Sequence, residues 1–395
     1  MDNIFNYLKL GTHEIISETE FRNLLLNKKE LVVKIGFDPT SDKLHLGHYV
    51  ILKKLRDFQL CGYNIHLIIG DFTASIGDPS GKSAARKSLY IDDVKQNYIY
   101  YSEYIFKFLI KDLTYIYFNS TWFNFINISD FIQLLSFSTV AKILERSDFK
   151  GRYINNKSIS LHEFIYPVLQ SYDSVFLHAD IEIGGIDQKF NLLLARDLQK
   201  FYFQTSQVLI MMPILTGLDG INKMSKSLNN CIFLDEDYYN IFCKVMSLSD
   251  DLISQYFIYL GFLNAEEYVD LCYIENNIMF RKMNLAFKIV SCLYNEFLAS
   301  DAKLKFINRV SKKIVDYDVE LVNLYISFDS ITLLNLFFMI NFVDTVAEFK
   351  RAIKSKSIKI DGIVISGRNY VLCLDTVYLV QMGKKKSIKI ILKKK

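Results

Sequence analysis

Residues 31–72 decide the fold, and they read LVVKIGFDPTSDKLHLGHYVILKKLRDFQLCGYNIHLIIGDF. The runs at 31–37 and 64–72 are short and apolar, which predicts two buried strands. Between them, residues 46–60 carry apolar side chains at helical spacing, and Gly62 follows as a helix stop. Strand, helix and strand form a βαβ unit, so we predict an α/β fold with a Rossmann-like, doubly wound parallel sheet.

The rest of the chain falls into parts with different patterns. ADIEIGGIDQKFNLLLARDL (179–198) repeats the strand, glycine turn and helix, and VLIMMPIL (208–215) predicts another buried strand. Residues 235–325 contain one glycine and no proline, and their amphipathic runs predict helices. From residue 331 we predict an apolar helix, a basic helix and short strands. The predicted domains are a catalytic domain at 1–230, a helical domain at 231–330 and a small α+β domain at 331–395.

The net charge of +4 conceals an asymmetry. Residues 346–395 hold 13 Lys and Arg against 3 Asp and Glu, a net charge of +10, so the remainder carries −6. A basic unit on a mildly acidic body indicates contact with a polyanion, for which RNA, DNA and an anionic membrane are the candidates. A solvated lysine-rich tail explains the charge equally well.

The cysteines and the apolar runs bear on the compartment. The six cysteines are scattered and form no CxxC pair, which argues against zinc and against a disulfide framework. The apolar run at 333–343 is too short to span a membrane. The N-terminus lacks the basic and apolar regions of a secretory signal. We therefore expect a cytoplasmic protein that does not enter a membrane.

Two of the six histidines, His45 and His48, lie at the predicted start of the helix. A helix N-terminus offers unpaired N–H groups and the positive end of its dipole, and Gly47 lets a ligand approach the backbone. The pair is therefore a candidate contact for a polyphosphate. A metal site is less well supported, because no cluster supplies a third ligand. Two half-exposed histidines without a function fit the pattern as well.

Two later turns contain lysines. GDPSGKS (77–83) is not a P-loop, because Gly77 and Gly81 are one residue too close. KMSKS (223–227) places hydroxyl groups between two lysines, which could close over a pyrophosphate, although such lysines are usually only solvated. The signal strengthens when KMSKS follows the histidine turn on one parallel α/β sheet.

HLGH (45–48) followed by KMSKS resembles the paired signatures of the class I aminoacyl-tRNA synthetases. Other segments resemble the tyrosyl-tRNA synthetase family of the bacterial type, and they are KIGFDPTSDKLHLGH (34–48), IGDFTASIGDPSGKSAAR (69–86), EFIYPVLQSYDS (163–174) and IGGIDQKFNLLLARDLQ (183–199). TVAEFKRAIKSKSIKIDG (345–362) and MGKKK (382–386) resemble the S4 RNA-binding domain. The resemblance covers nearly the whole chain.

The resemblance implies a two-step reaction: ATP activates L-tyrosine to tyrosyl-adenylate, and tyrosine is then transferred to tRNA(Tyr). It implies that the catalytic residues are Thr40, His45, His48, Lys82, Arg86, Lys223 and Lys226. It implies that the residues around ATP are Gly36, Asp38, His45, Gly47, His48, Gly185, Asp187, Lys223 and Lys226. It implies that the residues around tyrosine are Lys34, Asp78, Tyr166, Gln170, Asp173 and Gln188. For RNA it implies Lys350, Arg351, Lys354, Lys384, Lys385 and Lys386.

Within that set, Asp173 would accept a hydrogen bond from the tyrosine hydroxyl. Tyr166, Gln170 and Asp173 have the spacing of one helix face. Mg²⁺ is expected to accompany ATP, but no carboxylate pair identifies a protein ligand for it. The resemblance also implies a homodimer, with an interface around residues 120–160.

Two positions depart from parts of the family. Lys34 stands where one branch has a tyrosine, so Asp173 would carry more of the hydroxyl recognition. Lys356 and Ser357 replace the paired glycines of the S4 segment, which leaves the turn between helix and strand open to question.

Three other functions stay open. A tryptophan enzyme of the same fold is the nearest, and Asp173, Tyr166 and Gln170 with the basic tail favour tyrosine. A small-molecule nucleotidyltransferase would share the histidine turn but would not need the basic C-terminal unit. An inactive RNA-binding relative would not need intact phosphate-contact residues.

Overall fold

The computed structural model describes residues 2–39, 43–77, 91–311, 321–327, 330–361, 363–365, 370–383 and 386–394. The chain forms two compact units, at 1–299 and 300–395.

The first unit contains a six-stranded sheet with the order β1-β6-β5-β2-β3-β4. The strands are β1 (Glu14–Ile16), β2 (Val33–Phe37), β3 (Ile65–Ile69), β4 (Thr114–Phe118), β5 (Ile181–Gly185) and β6 (Val208–Met212). Strand β1 is antiparallel to β6, and the other pairs are parallel, with Val33 opposite both Ile65 and Ile181. The prediction of a parallel α/β sheet is confirmed, and β2, β3, β5 and β6 lie in the predicted segments.

Helices surround this sheet. They are α1 (Asp2–Lys9), α2 (Glu18–Asn27), α3 (Leu46–Leu60), α4 (Thr73–Ile76), α5 (Ile91–Phe108), α6 (Ser120–Phe123), α7 (Ile128–Ser136), α8 (Val140–Leu144), α9 (Ser147–Ile154), α10 (Leu161–Phe176) and α11 (Lys189–Phe201). Helix α3 has the predicted bounds because Leu52, Leu55 and Phe58 are buried on one face. Gly62 ends the turn after it with φ +87°, a conformation that favours glycine.

The chain after β6 is helical as predicted. It contains α12 (Tyr238–Met246), α13 (Ile253–Tyr259), α14 (Ala265–Ile274), α15 (Ile278–Leu293) and α16 (Glu296–Ser311). Helices α12 to α15 belong to the same compact unit as the sheet, and the boundary between the units falls within α16.

The second unit is α+β. Its strands are β7 (Leu321–Ile326), β8 (Ser330–Thr332), β9 (Ile358–Ile360), β10 (Ile363–Val364), β11 (Val371–Cys373), β12 (Val377–Met382) and β13 (Lys386–Lys394), and its further helices are α17 (Leu333–Met339) and α18 (Val346–Lys354). Five strands form a sheet with the order β10-β9-β12-β13-β7, while β11 pairs with β8.

The prediction that residues 235–325 are helical is wrong at its end. Residues 321–326 are strand β7, which pairs in parallel with β13 from Leu321 opposite Lys389 to Ile326 opposite Lys394. The partner strand lies far along the sequence, so local composition could not reveal the pairing. Strand β7 belongs with the C-terminal sheet, ahead of the boundary at 331 that the composition suggests.

The turn after α18 forms without its glycines. Lys356 adopts φ +56°, and the N–H groups of Lys356 and Ser357 donate to the carbonyls of Ile353 and Ala352, each at 3.0 Å. This is the hydrogen-bond pattern with which glycine commonly ends a helix. The turn between helix and strand therefore keeps the geometry of a glycine-terminated helix, with Lys356 in the left-handed conformation.

None of the helices in the described part of the chain has the length and apolar character needed to cross a membrane. All six cysteines are free.

Candidate functional site

A cavity of about 280 Å³ opens at the carboxyl ends of the central strands. Strands β2, β3 and β5 and the residues that follow them supply much of the wall, and helices α3, α4, α10 and α11 supply the rest. This edge is where open α/β sheets bind ligands. The lining is Ile35, Gly36, Phe37, Asp38, His48, Ile51, Ile68, Gly70, Thr73, Tyr166, Gln170, Asp173, Glu182, Ile183, Gly184, Gly185, Asp187, Gln188 and Leu192.

The cavity brings together many of the predicted site residues. Those on its wall are Gly36, Asp38, His48, Tyr166, Gln170, Asp173, Gly185, Asp187 and Gln188. The wall does not include Lys34, His45, Gly47, Lys223 or Lys226. The predicted residues Thr40, Asp78, Lys82 and Arg86 lie outside the described residues.

Asp173 is a buried carboxyl group on the cavity wall, with 4% of the residue exposed. Its Oδ1 accepts a hydrogen bond from Trp122 Nε1 at 3.0 Å. Burial raises the pKa of Asp173 to about 7, against the opposing effects of the Lys34 charge and of hydrogen bonds from Trp122 and Asn119. The carboxyl group therefore changes its protonation state near neutral pH.

Asp38 joins two walls of the cavity. Its Oδ2 accepts from the Tyr166 hydroxyl at 2.8 Å and its Oδ1 accepts from Thr73 Oγ1 at 2.9 Å. A Cβ atom at position 70 would lie 2.0 Å from Asp38 Oδ1, so only glycine fits beside this hydrogen bond. Gly70 thus allows β3 to approach the residue that follows β2.

Lys34, which the resemblance assigns to the tyrosine site, is buried and does not line the cavity. Its Nζ is fully buried and contacts Glu182 Oε1 and Ser174 Oγ, each at 2.7 Å. Glu182 Oε2 in turn accepts from Ser174 Oγ at 2.9 Å and from Gln207 Nε2. A buried lysine needs a countercharge, and Glu182 provides it. Lys34 therefore contacts Glu182, and Glu182 is a residue of the cavity wall.

His45 and His48 stand at the start of α3 as predicted. The His45 N–H donates to His48 Nδ1 at 3.1 Å, so the neutral ring of His48 carries its proton on Nε2. Burial lowers the pKa of His48 to about 4, and burial together with the His48 charge lowers that of His45 to about 2. Both rings are therefore neutral hydrogen-bond donors at physiological pH.

Both lysines of KMSKS are exposed. Lys223 Nζ lies 3.5 Å from Asp187 Oδ2, on the cavity wall. Asn230 holds this loop: its Nδ2 donates to the Lys223 carbonyl at 3.1 Å and its Oδ1 accepts from the Ser225 N–H at 2.8 Å. Lys226 begins a short 3₁₀ turn at Lys226–Leu228.

Backbone hydrogen bonds join the start of α3 to the residues that follow KMSKS. The Leu46 N–H donates to Ile232 O at 2.9 Å, and the Leu234 N–H donates to Leu44 O at 3.0 Å. The chain that leaves KMSKS is therefore paired with the turn that carries the histidines, although the two are far apart in the sequence.

The second unit presents the predicted basic residues on α18. Phe349 and Ile353 are buried on one face, and Lys350, Arg351 and Lys354 are exposed on the other. In strand β13, Lys386 Nζ donates to the Phe342 carbonyl at 2.7 Å. Lys384 and Lys385 lie outside the described residues.

The sequence prediction missed the polar residues that follow β4. Asn119 is fully buried and donates to Thr73 Oγ1 at 3.1 Å, and Trp122 donates to Asp173. The sequence pattern does not predict strand β4, and Asn119 and Trp122 are therefore not recognised as residues that follow a strand. Recognising the run TYIYF at 114–118 as a strand would have identified them.

Within the described ranges, no group of three or more His, Cys, Asp or Glu side chains is arranged to hold a metal ion.

The chain matches the family model "tRNA synthetases class I (W and Y)" over residues 26–311, and it belongs to this class. It is 42% identical over 389 residues to the tyrosine–tRNA ligase of Francisella tularensis subsp. tularensis, with 98% of each chain covered. It is 41% identical over 392 residues to the tyrosine–tRNA ligase of Legionella pneumophila strain Lens, again with 98% of each covered. Within the class, the chain is therefore a member of the tyrosine–tRNA ligase family.

Solved structures share the fold. A tyrosyl-tRNA synthetase from Archaeoglobus fulgidus, solved with L-tyrosine, superposes with a TM-score of 0.61 at 21% identity and covers 77% of this chain and 98% of its own. The truncated mitochondrial tyrosyl-tRNA synthetase of Aspergillus nidulans gives a TM-score of 0.62 at 18% identity, covering 77% and 92%.

Proposed function

We propose that the cavity binds L-tyrosine and ATP side by side, so that the tyrosine carboxylate attacks the α-phosphate and pyrophosphate leaves. Tyrosine is then transferred from the adenylate to the 3′ end of tRNA(Tyr). The observation that carries this proposal is a cavity whose wall holds the buried Asp173 carboxyl group together with His48 of the first signature segment and Asp187, which Lys223 of the second contacts.

The amino-acid end of the cavity is built on α10. Asp173, held by Trp122, accepts the hydrogen bond of the tyrosine hydroxyl. Tyr166, Gln170 and Gln188 surround the ammonium group, together with Asp78. A substrate without the hydroxyl leaves Asp173 unsatisfied and binds less well. The tyrosyl-tRNA synthetases are an established example of this effect, in which a site built for a hydroxyl rejects phenylalanine without an editing step.

The phosphate end is built on α3 and the KMSKS loop. His45 and His48 donate hydrogen bonds to phosphate oxygens as negative charge develops, while Lys223 and Lys226 neutralise the leaving pyrophosphate. Glycine at positions 36, 47 and 185 gives the nucleotide access to the backbone, beside Asp38 and Asp187. Thr40, Lys82 and Arg86 complete this proposed set. Catalysis rests on position and charge, without a protein nucleophile.

Mg²⁺ enters this scheme with the nucleotide. The carboxylates on the wall at Asp38 and Asp187 are dispersed, and Asp38 is committed to Thr73 and Tyr166. The ion would therefore take most of its oxygen ligands from the ATP phosphates and water, where it shields their charge.

The second unit is proposed to bind tRNA. The exposed face of α18 carries Lys350, Arg351 and Lys354, with Lys384, Lys385 and Lys386 farther along the chain. Cations on one helix face suit the phosphate backbone of RNA. Replacing Lys350, Arg351 and Lys354 together by alanine is expected to reduce tRNA charging about tenfold or more and to leave adenylate formation unchanged.

A homodimer is proposed from the surface of residues 120–160. Several large apolar side chains are exposed there: Phe125 85%, Ile128 79%, Val140 62%, Tyr153 65% and Ile154 66%. An apolar patch of this kind marks a protein interface. Sedimentation equilibrium is expected to give twice the chain mass of 46.1 kDa. The cytoplasmic location stays a prediction.

The test of the proposed reaction is amino-acid-dependent exchange of pyrophosphate into ATP. Exchange is expected with tyrosine and not with tryptophan or phenylalanine. Exchange driven by tryptophan alone would assign the chain to the other specificity of its class.

A further inference from the structure

A buried asparagine contacts two of the glutamines assigned to the substrate. Asn191, on α11, is 1% exposed. Its Nδ2 donates to Gln170 Oε1 at 2.7 Å and to Gln188 Oε1 at 3.0 Å. One amide group therefore gathers the carbonyl oxygens of two cavity-lining side chains that come from different elements.

Behind Asn191 lies Arg146, which is 5% exposed. Its Nη1 donates to Asn191 Oδ1 at 3.0 Å. Its Nε and Nη2 donate to the two oxygens of Asp148, each at 2.8 Å, and its guanidinium packs over the Phe149 ring at 4.8 Å. The guanidinium is thus fixed in place and direction.

The chemistry of arginine settles the orientation of the three amides. A guanidinium has donors and no acceptor, so the Asn191 atom that faces Arg146 must be the carbonyl oxygen. The NH₂ group of Asn191 must then face the glutamines, and the atoms that it meets must be their oxygens. A carbonyl oxygen has two lone pairs, so an oxygen that accepts from Asn191 can accept from a ligand as well.

We propose that Arg146 and Asn191 are positioning residues that fix the amide orientation of Gln170 and Gln188, and thereby present two carbonyl oxygens to the ammonium group of the amino acid. This inference rests on the proposed binding of tyrosine in the cavity. A glutamine amide that turned over would place NH₂ donors where a cation needs acceptors.

Asn191→Asp tests the orientation because it keeps the size of the side chain and removes its donors. The aspartate accepts from Arg146 as before, but it can satisfy the glutamines only if they turn their NH₂ groups toward it. The added negative charge by itself would favour an ammonium ligand. Weaker binding of such a ligand can therefore be assigned to the reversed amides.

Two inhibitors of tyrosine-dependent exchange separate the groups of the substrate. Tyrosinol keeps the ammonium group and lacks the carboxylate, whereas 3-(4-hydroxyphenyl)propionate keeps the carboxylate and lacks the ammonium group. In Asn191→Asp we expect the KM for tyrosine to rise at least tenfold with the KM for ATP unchanged. We expect inhibition by tyrosinol to weaken at least tenfold more than inhibition by the propionate.

Gln59→Glu is the matched control. Gln59 is a buried amide, 2% exposed, that bonds to Ile110 and Thr114 and does not line the cavity. The Gln59→Glu variant is expected to lower the melting temperature as Asn191→Asp does. It should leave the ratio of the inhibition constants for tyrosinol and the propionate unchanged. Arg146→Lys, which retains a donor-only partner for Asn191, is expected to raise the KM for tyrosine less than threefold.

The outcomes separate this inference from the function on which it rests. If the unaltered enzyme shows no tyrosine-dependent exchange, the proposed function is wrong. If it does, and Asn191→Asp weakens both inhibitors equally or leaves the KM for tyrosine within twofold, the positioning role is wrong. Should the aspartate variant not fold, Asn191→Ala removes the same donors without adding charge, and the same selective loss of tyrosinol inhibition is expected.

Discussion

The two ends of the cavity are built in opposite ways. At the proposed amino-acid end, Asp173 and Glu182 on the wall and Lys34, which contacts Glu182, are each less than 5% exposed, and all are hydrogen-bonded. At the phosphate end, Lys223 and Lys226 are exposed on a loop. The difference follows from what each end is proposed to do. Selection of a hydroxyl group needs buried groups in fixed positions, whereas a leaving pyrophosphate needs cations that solvent can reach.

The largest effect is expected from breaking the buried ion pair. Lys34→Met leaves Glu182 buried without its countercharge and should lower the free energy of unfolding by about 3–5 kcal/mol, measured by urea denaturation. Lys9→Met is the control, because the Lys9–Glu18 pair is about half exposed (48% and 41%). That change should cost less than about 1 kcal/mol. Similar losses in both variants would remove the contrast between buried and exposed charges.

Lys226→Ala tests the exposed end. Loss of a cation that meets charge only as it develops should slow pyrophosphate exchange about 10²–10³-fold with stability unchanged. Lys111→Ala, at another exposed lysine, should leave the exchange rate unaltered. Retention of more than half the activity by Lys226→Ala would contradict the proposed role.

The histidines lie between these extremes, as half-buried neutral donors. His48→Ala removes the donor and should slow exchange about 10–100-fold, the value of a hydrogen bond to a charged group. His48→Asn keeps an N–H and should lose less than about fivefold. The rates of exchange of His45→Ala and His45→Asn should differ in the same way. Equal losses from alanine and asparagine would indicate a role other than hydrogen-bond donation.

The raised pKa of Asp173 predicts a pH dependence at the buried end. The carboxyl group loses its proton as the pH rises through about 7, and the carboxylate is the form that accepts from a hydroxyl. The KM for tyrosine should therefore fall several-fold, up to about tenfold, between about pH 6 and about pH 8. Asp173→Asn should abolish this dependence, and a profile that kept its shape in the variant would assign it to another group.

The raised pKa of Asp173 also makes the stability of the protein depend on pH. The folded-state pKa of Asp173 lies above the unfolded value of 3.8, so the folded protein holds a proton that the unfolded chain has lost. Its contribution to stability is present below that value and disappears as the pH rises through about 7. His48 acts in the opposite direction, because its folded pKa of about 4 lies below 6.5 and stability falls as the pH drops between these values.

The smallest effect is expected in the second unit, where Lys356 has φ +56°. Lys356→Gly should raise the free energy of unfolding by about 1 kcal/mol, because glycine adopts this conformation without strain. Lys354→Gly, within α18, should lower it by about 0.5–1 kcal/mol. Destabilisation by Lys356→Gly would show that the lysine side chain stabilises the turn.

Much of the fold could be predicted because its signals are local. The apolar runs of β2, β3, β5 and β6 and the spacing in α3 mark buried elements within a few residues. Strands β4 and β7 were missed for a common reason. Their burial and pairing depend on partners elsewhere in the chain, and short mixed runs such as LVNLYI do not distinguish strand from helix.

By itself the sequence determined the parallel α/β fold, the two signature segments, the helix face of Tyr166, Gln170 and Asp173, and the basic C-terminal unit. Periodicity, motif order and charge are properties of the chain before it folds. Only the tertiary structure decided that Lys34 pairs with Glu182, that Trp122 bonds to Asp173 and that Asn191 orients two glutamines. These contacts join residues that are distant in the sequence, and burial then sets which partner and which protonation state each group takes.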